Sequence, residues 1–135
     1  MRRNKGLTLV EVIISVAIFM IVILFSFPIL TQSALTNIKS ESKRQAQEYG
    51  VMVSEELHVK AKAHPNYSNL EKDLLENDFL DFGQGFVRIG ANNLELSKDD
   101  LTVKLMFSDD FKRVKISVHS KQAMFETMEW LNYAG

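Results

Sequence analysis

The stretch from Leu7 to Leu30 sets the strongest limit on what this chain can become. It is 24 residues long and carries a single charge, Glu11; its other polar members are Thr8, Ser15 and Ser26. As a helix it reaches about 36 Å, enough to cross a bilayer core of about 30 Å. Arg2, Arg3 and Lys5 precede it. Cations clustered on one flank of a membrane span stay on the cytoplasmic side, so the pattern predicts a single span with its N-terminus in the cytoplasm and the remainder exported. A cleaved secretory signal fits less well. The apolar run exceeds the usual length of about 7 to 15 residues. No small-x-small site closes it, the nearest approach being Ser33-Ala34 with Gln32 ahead.

Glu11 is the costly residue of this stretch. An ionised group in the apolar layer costs on the order of 3 kcal/mol even on lenient insertion scales, so it is usually found with a partner and a task. Two readings stand. The carboxylate can snorkel to the headgroups, or it can meet a cation at the same depth. An α-amino group freed by cutting after Gly6 would be such a cation. The chain's own amine is held one turn away in fixed geometry, whereas the amine of a neighbouring, staggered copy can reach the carboxylate.

Gly6-Leu7-Thr8-Leu9-Val10-Glu11, behind a short basic leader and ahead of an apolar helix, resembles the class III signal of type IV pilins and type II secretion pseudopilins. The resemblance covers roughly residues 1 to 30. It implies that a membrane prepilin peptidase cuts between Gly6 and Leu7 and N-methylates Leu7. Thr8 and Glu11 match the family's positions, and Glu11 would neutralise the Leu7 amine of an adjacent subunit during assembly. Pro28 falls where many members carry a helix-loosening proline, while Leu7 stands where phenylalanine is more usual. The implied protein is a minor pilin or pseudopilin, a structural subunit of a type IV pilus-like filament serving pilus assembly, type II secretion or DNA uptake. Its implied partners are other pilin or pseudopilin subunits, the prepilin peptidase, an inner-membrane assembly platform and, before assembly, membrane lipid. It would sit in the cytoplasmic membrane and then in an extracytoplasmic filament. The alternatives are the major pilin, or a single-pass anchor that never polymerises.

Length bounds the rest to one modest domain of about 105 residues. Formal charge is −1 over 135 residues. Beyond Leu30 there are 13 Lys and Arg against 16 Asp and Glu, which is no electrostatic footprint for direct nucleic-acid binding. With no cysteine in the chain, disulfide staples, thiol catalysis and cysteine zinc sites are excluded.

Past Leu30 the helical period continues. Leu35, Ile38, Ser42, Ala46, Tyr49, Val53 and Leu57 form one stripe, with Lys39, Glu41, Lys43, Arg44, Gln47 and Glu48 on the other faces. Glu41 with Arg44 and Arg44 with Glu48 are spaced to pair. This predicts one helix from about Leu7 to about Ala63, some 85 Å long, loosened at Pro28 and weakened at Gly50, and closed by His64-Pro65-Asn66. The stripe suits packing on the chain's own sheet better than a coiled-coil seam, which Ser42 and Ala46 would weaken. Ser68-Asn69-Leu70-Glu71 reads as a capping box for a short helix over roughly Asn69 to Asp78. Gly83-Gln84-Gly85 reads as a flexible turn. From Phe86 the period becomes two, with strands over Phe86 to Ile89, Leu94 to Leu96, Leu101 to Phe107 and Arg113 to His119. Met124 to Leu131 fits a last strand or a short helix, and a strand is the reading adopted. The resulting fold class is α+β and pilin-like: a long N-terminal helix packed on a small antiparallel sheet. The divisions are a leader, 1–6; a membrane or filament-core half-helix, 7–30; and an exported domain, 31–135, whose amphipathic half-helix is 31–64.

No cofactor or enzyme is predicted, since no catalytic triad, phosphate cradle or metal motif is legible. Asp99-Asp100 and Asp109-Asp110 lack the alternating oxygen ligands of a calcium loop and fall at turns, where Asp is common. His58, His64 and His119 are scattered. Phe125, Trp130 and Tyr133, near the C-terminus, suit core packing better than an exposed recognition patch.

Overall fold

The computed structural model describes residue 6 and residues 8–134. Seven elements follow one another: helix α1 (Leu9–Ala63), helix α2 (Tyr67–Glu76), and strands β1 (Val87–Arg88), β2 (Asn93–Lys98), β3 (Leu101–Phe107), β4 (Arg113–Ser120) and β5 (Ala123–Trp130). Two compact units are distinguished, Met1–Ile38 and Lys39–Gly135.

The first unit holds the apolar part of α1. Every large apolar side chain from Leu9 to Leu30 is between 44% and 76% exposed. Pro28 lies inside the helix without ending it. Proline offers no amide to the Leu24 carbonyl one turn earlier. Hydroxyls fold back onto neighbouring turns: Ser26 Oγ donates to the Val22 carbonyl at 2.8 Å and Thr31 Oγ1 to that of Phe27 at 2.7 Å. Leu35 and Ile38 are also exposed, so the predicted buried stripe begins only at Ser42.

In the second unit the later part of α1 packs on a five-stranded antiparallel meander with strand order β1-β2-β3-β4-β5. Ser42, Ala46, Gly50, Val53, Leu57 and Ala61 are its buried residues. Small side chains at 42, 46 and 50 let helix and sheet approach closely. Gly50 is therefore more than the weak point expected from its helix propensity: a Cβ there would sit 2.2 Å from Cδ1 of the Phe125 ring. The strands follow the expected alternation, because a period of two sends alternate side chains to opposite faces. Leu94, Leu96, Val103, Leu105, Val114, Ile116 and Val118 turn inward and are essentially fully buried. The β3–β4 register pairs Val103 with Val118 and Leu105 with Ile116. The segment from Met124 is a strand, with Phe125 opposite Val118.

Three expectations are corrected. Helix α2 starts at Tyr67 and not at Asn69: Asn66 is its cap, its side chain accepting from the Asn69 amide at 3.1 Å, in place of Ser68. The cap falls there because the turn at Pro65 leaves Asn66 extended, while Leu70 and Leu74 still bury as anticipated. The Gly83–Gly85 turn is not loose. A Cβ on Gly85 would meet the carbonyl oxygens of Leu74, Leu75 and Asn77 at 2.6–2.8 Å, and the next amide, Phe86, donates to Leu74 at 2.7 Å. Finally, the C-terminal aromatics do not act together. Phe125 and Tyr133 pack against the core, but Trp130 points to the other face of the sheet, 62% exposed. There the Arg113 guanidinium lies 5.4 Å over its ring.

Candidate functional site

The sequence placed the functional residues at the start of α1, and the geometry there is local. Gly6 is exposed and non-helical, with open space where a Cβ would be. Leu7, expected to carry the cleavage and methylation site, lies outside the described residues, as do Arg2, Arg3 and Lys5. Thr8 is the last non-helical residue and Leu9 the first helical one, two residues later than the sequence suggested.

Thr8 and Glu11 are brought together in a reciprocal contact. The Glu11 amide donates to Thr8 Oγ1 at 3.3 Å, and the Thr8 amide donates to Glu11 Oε2, also at 3.3 Å. The Thr8 hydroxyl approaches the same carboxylate oxygen at 3.4 Å. This is a capping box: an N-cap threonine and a glutamate three residues on satisfy each other's free amides. It supplies a partner for Glu11 that the sequence reading did not consider. The signal was present as Thr-x-x-Glu ahead of an apolar run. A carboxylate in the first helical turn also gains from the helix dipole. Ser15 Oγ donates to the Glu11 carbonyl at 2.8 Å, turning that hydroxyl inward along the helix. Both Thr8 and Glu11 stay exposed, so the carboxylate remains open to a further donor.

The other candidates resolve into structural parts. Asp99, at φ 53°, turns the chain between β2 and β3, and Asp100 lies 3.3 Å from the Lys121 ammonium. Asp110 accepts from the Ser108 hydroxyl and from the Lys112 amide, and these bonds hold its carboxyl below the usual range. His58 reaches the Ser54 and Trp130 carbonyls at 2.8 and 3.0 Å, joining α1 to the end of β5. His64 and Lys60 approach Asp73 at 3.3 and 2.8 Å. Among the described residues no three His, Asp or Glu side chains converge as metal ligands. Arg44 pairs with Glu41 at 2.7 Å and with Glu48, as their spacing predicted.

Residues 1–27 match the family model described as the prokaryotic N-terminal methylation motif, the prepilin-cleavage signal of type IV pilins and pseudopilins. No curated protein and no solved structure gives a significant match to the chain. The chain thus begins with a signal of the kind that a prepilin peptidase reads in type IV pilins and pseudopilins, and has a helix long and apolar enough to cross a membrane.

Proposed function

We propose that the chain is a minor pilin or pseudopilin, a structural subunit and not an enzyme, assembled into a type IV pilus-like filament. In this reading residues 1–6 are the leader, 7–30 the membrane and later filament-core half-helix, and 31–135 the exported domain. The precursor lies in the cytoplasmic membrane with its N-terminus inside. The peptidase cuts between Gly6 and Leu7 and methylates the Leu7 amine, and the subunit then passes from lipid into a bundle of like helices on an assembly platform. Glu11 registers that bundle by meeting a neighbour's Leu7 amine, and Pro28 loosens the helix along the way.

One observation carries the reading. A carboxylate sits in the first turn of a helix whose large apolar side chains from Leu9 to Leu30 are all exposed around its circumference. Such a helix needs lipid or other helices around it, and a buried carboxylate left without a cation destabilises any bundle that misplaces it. A plain membrane anchor needs neither Gly6 nor Glu11.

Mass spectrometry of sheared filaments tests this directly. The expected result is the peptide beginning at N-methylated Leu7, as a minor component beside another subunit. Dominance of that peptide would make the chain the major pilin. Finding only uncut Met1 termini beside an active peptidase would leave the non-polymerising anchor. Glu11→Gln is expected to lower incorporation into filaments at least several-fold while membrane insertion is unchanged; normal incorporation would remove the registration role.

A further inference from the structure

We propose that Thr8 is a positioning residue for the processing step. By fixing the start of α1 at Leu9, it keeps Gly6, whose carbonyl belongs to the bond to be cut, out of the helix, where a peptidase can take hold of it. The proposal rests on the processing reading above. A protease engages its substrate as locally unfolded backbone. A peptide bond inside a helix must first be unwound, because its amide and carbonyl are committed to the helix.

The sequence offers this helix two places to start. Asn4 and Thr8 are both good N-cap residues and lie one turn apart. A start at Asn4 would enclose the bond to be cut in the first turn, whereas the start after Thr8 leaves Gly6 non-helical. The third residue after each cap separates the two. After Thr8 it is Glu11, whose carboxylate can close a capping box; after Asn4 it is Leu7, which has no acceptor to offer. The box at Thr8 is formed from both sides, with the Glu11 amide on Thr8 Oγ1 and the Thr8 amide on Glu11 Oε2, each at 3.3 Å. Gly6 is non-helical, and glycine is the least favourable residue in a helix interior apart from proline, so it opposes the upstream start as well.

Glu11 thereby acts at two stages, with different partners and a different demand on the same side chain. Before cutting, its side chain need only accept a hydrogen bond from the Thr8 amide. In the filament it must carry a charge. Glutamine meets the first need and fails the second.

The test follows initial cleavage rates of the full-length precursor in lipid vesicles with an active prepilin peptidase, reading the released leader by mass spectrometry. Thr8→Val keeps the shape and removes the acceptor; it is expected to slow cutting about five-fold, the size of a typical cap loss. Thr8→Ser and Thr8→Asn, both caps, are expected to stay within about two-fold of wild type, and so is Glu11→Gln. Adding Asn4→Ala to Thr8→Val is expected to restore much of the rate by removing the competing start. Wild-type cutting of Thr8→Val would overturn the proposal. So would Thr8→Asn cut as slowly as Thr8→Val, since the peptidase would then be reading threonine itself, or a double variant no faster than Thr8→Val alone. A wild-type chain left uncut beside a control prepilin that is cut would instead overturn the processing reading on which the proposal stands.

Discussion

Between Leu9 and Leu30 every large apolar side chain of α1 is exposed, whereas between Ser42 and Ala61 six residues at three- and four-residue steps are buried within the second unit. The backbone is helical in both stretches, so the difference lies in how apolar side chains are distributed. In the first they surround the axis, and none of the large ones is buried by the described residues. In the second they form a stripe, and one sheet covers it. In the proposed function the first stretch takes its stability from lipid or other helices, whereas the second is covered from within the chain. Polar residues divide the same way. In the early stretch the hydroxyls of Ser15, Ser26 and Thr31 bond their own helix. The late stretch sends Lys60 across to Asp73 on α2.

Exchanging an apolar side chain in each stretch is the hardest test of this contrast. Leu57→Ala opens a hole in a fully buried position and is expected to cost about 2–5 kcal/mol, lowering the melting temperature of the full chain in detergent micelles. Ile18→Ala is expected to leave that melting unchanged. If both variants melt alike, the division between the stretches is wrong.

A smaller effect comes from the close helix–sheet approach at Gly50. Gly50→Ala should cost about 1–3 kcal/mol through overpacking against Phe125. Combining it with Phe125→Leu should cost less than the two single changes together, because the ring is what the new methyl meets. Strict additivity in the melts would deny the contact.

The least effect is electrostatic and confined to the second unit. Burial works to raise the Asp73 carboxyl, but hydrogen bonds from Lys60, Asn77 and His64 outweigh it and hold that group below its ordinary value. A depressed carboxyl adds stability above its unfolded pKa and loses it as pH falls through the lower folded one. Acid melts should therefore show a loss beginning below about pH 4. Asp73→Asn should flatten that part of the profile, and an unchanged slope would show that Asp73 does not contribute to it.

The membrane-length run and the N-terminal methylation motif could be read directly because both are local patterns, set by composition and spacing. The strands were legible for a similar reason, since the period of two in Leu101 to Phe107 and Arg113 to His119 needs no partner to be seen. Element ends were harder. The cap of α2 moved from Ser68 to Asn66 because the preceding turn, not the capping pattern, decided where the chain became helical.

What the sequence by itself determined is an N-terminal signal, a helix long and apolar enough to cross a membrane, and an α+β domain beyond it. What only the tertiary structure decided is which small residues matter and which aromatics are free. Gly50 and Gly85 look like weak points until a ring and three carbonyls are found where their side chains would be. Trp130 looks like core until the β4–β5 register sets it beside Arg113 on the far face from Phe125. Periodicity states which residues share a face, but close approach and choice of face depend on residues distant in sequence, and those meet only when the chain has folded.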